Sequence, residues 1–156
     1  MKESILNGKR ILVVNDDPDI LEILEEEIII AAPNSYIDKA NHYQKGIELL
    51  ASFTYDLVIL DMTLSRVSRL LNLSLYRPSP FPVVMLTAYN LDPETLRPYT
   101  EMGVRAYLPK EKLGQIVPFL EDSLKHQYLP FWRYIFENLR GFSNTHRRRK
   151  WVEVPG

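Results

Sequence analysis

Three short runs of consecutive apolar residues constrain the fold of this chain more than any other feature of its sequence. They lie within residues 10–14, 56–60 and 82–86, after the charged residues Arg10 and Asp56 in the first two, and a polar residue follows each of them. Runs of this length, rich in β-branched residues and closed by a polar residue, are typical of strands that are buried on both faces. Weaker patterns predict two more strands, at residues 36–40 and 103–108.

Segments with apolar residues at helical spacing alternate with these strands. The first begins at Pro18 and a second covers residues 43–51, whereas the third is expected to be reduced or irregular. A fourth begins at Asp92, and Pro98 is expected to stop or kink it early. A last helix follows Lys110, and Pro118 is expected to interrupt it.

Apolar strands that alternate with amphipathic helices predict a parallel sheet with helices on both faces. We therefore expect an α/β fold with a doubly wound five-stranded sheet, of the flavodoxin-like order 2-1-3-4-5, and a C-terminal helical extension. The charge supports a boundary near Lys125. Residues 1–124 hold 12 Lys and Arg against 18 Asp and Glu, whereas residues 125–156 hold 7 against 2. We predict a domain at 1–124 and an aromatic and basic extension at 125–156.

Polar residues at the predicted strand ends form the candidate site. Asn15 and Asp16 follow the first strand, Asp61 follows the third, Thr87 follows the fourth, and Lys110 follows the fifth. In a doubly wound sheet, binding residues collect beyond the carboxyl ends of the strands, so the fold would bring these residues together.

The chemistry of this set favours phosphoryl transfer. Two neighbouring carboxylates favour a hard cation such as Mg²⁺, which binds one or two carboxylates together with waters and phosphate oxygens. The Asp61 carboxylate can attack phosphorus and form an acyl phosphate. Lys110 can neutralise the phosphoryl oxygens, and the Thr87 hydroxyl can donate a hydrogen bond to one of them.

Four sequence motifs carry a resemblance to a known family. They are Ile11-Leu12-Val13-Val14-Asn15-Asp16-Asp17-Pro18, Asp56-Leu57-Val58-Ile59-Leu60-Asp61, Val83-Val84-Met85-Leu86-Thr87-Ala88 and Ala106-Tyr107-Leu108-Pro109-Lys110. In this order, each at a strand end, they resemble the receiver domain of two-component response regulators, and the resemblance covers roughly residues 9–124.

The resemblance implies a role for each matching residue. Asp61 would be the phosphoacceptor, and Lys110 would pair with the phosphoryl group. Asp16, Asp61 and the backbone carbonyl of Thr63 would bind Mg²⁺. Thr87 and Tyr107 would form the switch pair, in which the hydroxyl moves toward the phosphoryl group while the ring turns inward.

Two positions depart from the family pattern. Asn15 stands where the family usually has an acid, so it would hold the metal through a water, and weaker Mg²⁺ binding is expected. The loop at residues 62–69 lacks the Pro and Gly residues that usually shape it, which affects the expected geometry around Thr63.

The resemblance implies a single-domain response regulator, a phosphoprotein that takes its phosphoryl group from a sensor histidine kinase or a phosphotransfer protein and then changes its contacts with an output protein. Beyond self-phosphorylation and self-dephosphorylation, no enzymatic turnover is expected. The alternative is a pseudo-receiver, a module that binds partners independently of phosphorylation through its C-terminal extension. The absence of a leader pattern or a membrane-span pattern predicts a cytoplasmic protein.

The extension carries an apolar helical face and a basic run. Trp132, Ile135, Phe136 and Leu139 share one face, and residues 147–150 are all basic. The simplest interpretation is a helix that folds back onto the domain, followed by a solvated tail. The functional interpretation is a docking or homodimerisation helix, with the basic run contacting anionic lipid, nucleic acid or an acidic partner. The extension is too short for the usual DNA-binding output domain, so direct DNA binding is not expected.

Overall fold

The strands and helices alternate along the chain as predicted. The structure, a computed structural model, describes residues 3–77, 81–88 and 92–125. The strands are β1 (Arg10–Val14), β2 (Tyr36–Ala40), β3 (Leu57–Asp61), β4 (Val83–Thr87) and β5 (Ala106–Pro109). The helices are α1 (Pro18–Ala31), α2 (Tyr43–Ser52), α3 (Val67–Leu75), α4 (Pro93–Glu101) and α5 (Ile116–Lys125), with a 3-10 helix (Lys110–Gln115) between β5 and α5.

The five strands form one parallel sheet in the order β2-β1-β3-β4-β5, which confirms the predicted topology. At the carboxyl ends, Val14 lies opposite Leu60, Asp61 lies opposite Leu86, and Thr87 lies opposite Pro109. Because every strand runs in the same direction, these ends meet at one edge, beside the switch in strand order between β1 and β3.

The central strands β1, β3 and β4 are mainly apolar because helices cover both faces of the sheet. On one face, alternate strand residues pack against α2, α3 and α4 through side chains such as Leu50, Leu70 and Leu96. On the other face, the intervening residues pack against α1 and α5, through side chains such as Leu24 and Leu120. Complete burial of one such side chain contributes about 1.5–3 kcal/mol, so the two cores hold the loops at the carboxyl edge on a rigid base.

Helix α4 runs through Pro98, so the predicted early stop there is wrong. Asp92 caps the first turn by accepting a hydrogen bond from the Thr95 amide at 2.9 Å, and the fully buried Leu96 holds the helix against the sheet. Proline removes one backbone donor, but the Pro98 carbonyl still accepts from the Met102 amide at 3.1 Å. The cap and the burial outweigh the loss of one helical hydrogen bond.

The region around β5 also differs from the prediction. The fifth strand begins at Ala106, because Gly103 has a φ of +114° and belongs to the turn that ends α4. Pro118 does not interrupt the last helix. It lies in the first turn of α5, where a missing amide hydrogen costs little, and the change from 3-10 to α-helix precedes it at Ile116.

All of the extension predicted at 125–156 except Lys125 lies outside the described residues, including the apolar face from Trp132 to Leu139 and the basic run at 147–150. Within the described ranges, none of the helices has both the length and the apolar character that crossing a membrane requires.

Candidate functional site

Asp61 is the centre of the candidate site. It is the last residue of β3, a strand in which all five residues are buried, and its own exposed fraction is 1%. A carboxylate this deeply buried is costly unless other groups compensate its charge. The contacts that compensate this charge therefore indicate the function of the carboxylate.

Thr63 compensates the negative charge on one oxygen of this carboxylate through two hydrogen bonds. Asp61 Oδ1 accepts a hydrogen bond from the Thr63 amide at 2.9 Å and a second from the Thr63 hydroxyl at 2.8 Å. The loop can make this turn because the Leu64 amide donates back to the Asp61 carbonyl at 3.0 Å. These contacts fix the plane of the carboxylate and leave the other oxygen, Oδ2, available.

Lys110 compensates the negative charge on the second oxygen, Oδ2. Its Nζ lies 2.8 Å from Asp61 Oδ2 and also donates to the Thr63 hydroxyl oxygen at 3.3 Å. Among the described residues Oδ2 accepts no well-aligned hydrogen bond, so its contact with Lys110 is an ion pair. Because the lysine side chain is 29% exposed, the ammonium can also reach a group that arrives from solvent.

Thr87 is completely buried at the end of β4, and its hydroxyl has no hydrogen-bond partner in the described part of the chain. The strand register places Thr87 next to Pro109, one residue before Lys110, and places Leu86 next to Asp61. A buried hydroxyl without a partner normally costs stability, so its presence at this edge favours a functional role.

Asn15 and the two residues after it occupy the end of β1. Asn15 is completely buried, and its Oδ1 accepts a hydrogen bond from the Asp17 amide at 2.8 Å, whereas its Nδ2 lacks a partner among the described residues. Asp16 is exposed at the same edge of the sheet. Asp17 caps α1 through the Asp19 amide at 2.9 Å, which explains an acid there without metal binding.

The donor set at this edge fits a magnesium ion better than a transition metal. Within the described ranges, no group of three or more His, Cys, Asp or Glu residues could hold a metal. Asp16 and Asp61 would supply two carboxylates, the Thr63 backbone would supply a carbonyl, and Asn15 Oδ1 would hold a bound water. Two carboxylates, a carbonyl and waters are a set that Mg²⁺ accepts when phosphate oxygens complete it.

Tyr107, the second residue of the predicted switch pair, faces inward. It is 2% exposed, and its hydroxyl donates to the Leu96 carbonyl at 3.1 Å and lies 2.6 Å from the Thr100 hydroxyl oxygen. Burial raises the pKa of the Tyr107 phenol, so the ring stays neutral. The ring is thus held against α4.

The loop after Asp61 contains a backbone conformation that the sequence did not indicate. Arg66 adopts a left-handed conformation, with φ 60° and ψ 30°, at the start of α3. Its guanidinium lies 5.4 Å from the centre of the Tyr43 ring at the start of α2, a cation–π distance. The arginine thus takes the place of the glycine that such a conformation usually requires.

Two functional candidates escaped the sequence analysis. The Thr63 side chain was overlooked because the resemblance assigns a role only to its backbone carbonyl. Thr100 was overlooked because a threonine within a helix has no distinctive pattern, and only the packing of α4 on β5 brings it to Tyr107.

Comparison with known proteins identifies related sequences and folds. The family model for the response regulator receiver domain matches residues 11–119. The curated proteins give no significant match to this chain.

Three solved structures illustrate the shared fold. The signal receiver domain of a DNA-binding response regulator protein from Colwellia psychrerythraea is 18% identical, with a TM-score of 0.65, and the match covers 77% of this chain and 98% of that one. A CheY-like response regulator receiver domain protein from Methanospirillum hungatei is 22% identical, with a TM-score of 0.60 and coverage of 77% and 98%. A phosphorylated cyanobacterial phytochrome response regulator is 18% identical, with a TM-score of 0.65 and coverage of 77% and 96%.

Proposed function

The chain belongs to the response regulator receiver domain family, and on that premise we propose that it accepts a phosphoryl group on Asp61 and thereby changes its protein contacts. The family is a phosphoacceptor signalling domain and not a classical enzyme. The observation that carries the proposal is the 2.8 Å ion pair between the buried Asp61 Oδ2 and Lys110 Nζ. A nucleophile and the cation that would stabilise its product are therefore already in contact.

In the proposed step, Asp61 Oδ2 attacks the phosphorus atom of a donor. A new bond forms between Oδ2 and phosphorus while the bond from phosphorus to the donor atom breaks, and its electron pair leaves with the donor. Lys110 moves from the carboxylate to a phosphoryl oxygen, and the Thr87 hydroxyl donates to another. The Lys110 ammonium and the Thr87 hydroxyl would both stabilise the negative charge on the phosphoryl oxygens.

Asp16, Asp61 and the Thr63 carbonyl would hold Mg²⁺, with Asn15 contributing through a water. When bound, the ion neutralises charge on the carboxylates and on the phosphoryl oxygens. Asn15 carries no charge, so we propose that this chain binds the ion more weakly than a relative with an acid at the same position.

The proposed donor is a phosphohistidine on a sensor histidine kinase or on a phosphotransfer protein. The response would be a change in the surface formed by α4, β5 and α5, which runs along the edge strand that carries Tyr107. The output partner would be another protein or a second copy of this chain, with the extension at 125–156 as an additional contact.

One observation supports a second candidate, a module that binds its partner without phosphorylation. The Tyr107 ring is held inward by the contacts of its hydroxyl with the Leu96 carbonyl and the Thr100 hydroxyl. If this conformation is fixed, phosphorylation of Asp61 would not alter the α4–β5 surface. We favour the phosphoacceptor because Asp61 pairs with Lys110, and because the Thr87 hydroxyl, at the end of the neighbouring strand, has no hydrogen-bond partner within the described ranges.

Intact-mass analysis after incubation with acetyl phosphate and Mg²⁺ tests the proposal. We expect the wild type to gain one phosphoryl group, and Asp61→Asn to gain none. Asp56→Asn is the matched control, because Asp56 is an exposed acid immediately before the same strand and should not affect uptake. Absence of uptake by the wild type, under conditions that label another receiver domain, would favour the phosphorylation-independent module.

A further inference from the structure

Helix α1 carries an apolar stripe on its outward face. Ile23 and Ile30 are 42% and 79% exposed, and because they are seven residues apart they lie on the same side of the helix, two turns from each other. Leu24 and Ile28 hold the opposite side of the helix in the core. One exposed isoleucine is ordinary, whereas two at helical spacing indicate a surface that another segment covers.

The same helix is strongly acidic. It contains Asp19 and four glutamates but no Lys or Arg. Glu25 already pairs with Lys39 of β2 at 2.6 Å. Glu22 and Glu26 are exposed and flank the apolar stripe. A stripe bordered by carboxylates is complementary to a segment that is apolar on one side and basic beside it.

The C-terminal extension has both of these properties. The apolar residues of the segment 131–139 recur at helical spacing from Trp132 to Leu139, which are seven residues apart, as Ile23 and Ile30 are. The extension at 125–156 holds 7 Lys and Arg against 2 Asp and Glu. Its apolar spacing and its charge therefore both match the outward face of α1.

The chain leaves the described part of the domain next to this face. Helices α1 and α5 are neighbours on the same side of the sheet, and each follows a parallel strand, so both end at the edge where the strands begin. Residues 126–131 can span up to about 20 Å. The axes of packed helices are only about 8–10 Å apart, so Trp132 can reach Ile30 from the end of α5 at Lys125.

We propose that the segment 131–139 docks on the apolar stripe of α1 in its own chain. It runs back along the helix, with Trp132 at Ile30 and Leu139 at Ile23, and the basic residues of the extension face the acids of α1. The contact does not depend on phosphorylation of Asp61. A protein that binds α1 would have to displace the segment first.

Tryptophan fluorescence of the full chain tests the proposal, because both tryptophans, Trp132 and Trp151, belong to the extension. In a Trp151→Phe background only Trp132 emits. We expect its emission to lie to the blue of that of the urea-unfolded protein, with the indole shielded from acrylamide. An indole that is as accessible to acrylamide in the folded protein as in urea would overturn the proposal.

Substitutions in the stripe locate the docking site. In the same background, Ile23→Ser and Ile30→Ser should each shift the emission to the red and increase quenching by acrylamide. Leu73→Ser is the matched control, because Leu73 is 43% exposed on α3, which packs on the opposite face of the sheet. An emission that neither isoleucine variant changes, or that the control changes equally, would overturn the proposal. Circular dichroism checks that each variant is folded, as expected for substitutions at exposed positions.

Neutralisation of the acids tests the charge. The double variant Glu22→Gln and Glu26→Gln should increase quenching of Trp132, because two carboxylates that face the basic extension are lost. Glu48→Gln with Glu101→Gln makes the same change of charge at exposed positions of α2 and α4, on the opposite face of the sheet, and should have no effect. Equal effects of the two pairs would mean that net charge alone acts, and would overturn the pairing with α1.

Dilution separates the chain's own segment from that of a second copy. An intramolecular contact gives the same emission at every protein concentration. A red shift on dilution would show that the stripe holds the segment of another molecule, and would overturn the proposal.

Discussion

Lys110 Nζ lies 2.8 Å from Asp61 Oδ2, joining the end of β5 to the end of β3 across the intervening strand β4. The carboxylate is almost completely buried, whereas the lysine is partly exposed. Loss of the ion pair would therefore cost more free energy at the buried carboxylate than at the lysine, which water can still solvate.

We predict that Lys110→Met slows phosphoryl uptake by Asp61 at least ten-fold, because the cation that stabilises the product is lost. The buried carboxylate also loses its counter-ion. Because the lysine is partly exposed, we expect the free energy of unfolding to fall by only about 1–2 kcal/mol, less than a fully buried pair would lose. Intact mass and urea unfolding measure the two effects. Lys45→Met, at an exposed lysine, should change neither, and an unimpaired Lys110→Met would show that the ion pair has no role in transfer.

Thr87→Val should separate stability from function. Its buried hydroxyl has no partner among the described residues, so replacing it with a methyl group should raise the free energy of unfolding by about 1 kcal/mol. The same variant should accept the phosphoryl group more slowly, because one hydrogen bond to the phosphoryl oxygens is lost. Urea unfolding and uptake kinetics on the same preparation check both parts. A variant that is strongly destabilised would mean that the hydroxyl is bonded in the folded protein.

Asn15→Asp should tighten Mg²⁺ binding, because it adds a negative charge beside Asp16 and Asp61. The added carboxylate is buried, so without the ion the variant should be less stable than the wild type. Titration of both proteins with Mg²⁺, followed by thermal unfolding, measures the two effects together. Equal affinity in the two proteins would mean that Asn15 does not face the metal.

The sequence predicted the strands, and the polar residues at their ends, more accurately than the connections. Strands that are buried on both faces must be apolar, so β1, β3 and β4 are visible as runs, and Asp61 and Thr87 are visible as polar residues at their ends. The fold then brings Lys110 to Asp61, as expected for a parallel sheet. Their roles in phosphoryl transfer remain predictions.

The contacts that the sequence did not predict depend on packing. Thr100 and Tyr107 are seven residues apart and lie on different elements, so their 2.6 Å contact exists only because α4 packs beside β5. Pro98 remains within α4 because the Asp92 cap and the burial of Leu96 outweigh the missing hydrogen bond. Neither the contact nor the position of Pro98 can be inferred from neighbouring residues in the sequence.

Gly103 gives a prediction about this same connection. Its φ of +114° disfavours any other residue, and an added Cβ would lie 3.3 Å from Leu75 Cδ1. Gly103→Ala should therefore lower the free energy of unfolding by about 1–2 kcal/mol. Gly114→Ala is the matched control, because an added Cβ there meets no atom within 4 Å. Urea unfolding of the two variants compares them directly, and equal stability would contradict the assigned conformation at Gly103.

The most direct test of the central claim is to locate the phosphoryl group by chemistry. Borohydride reduces an aspartyl phosphate to homoserine and releases phosphate, which leaves a permanent mark at the residue that carried the group. After treatment with acetyl phosphate, Mg²⁺ and borohydride, peptide mass analysis should find homoserine at position 61 and at no other acid. Homoserine at another aspartate, or none in a protein that has gained a phosphoryl group, would contradict the assignment of Asp61.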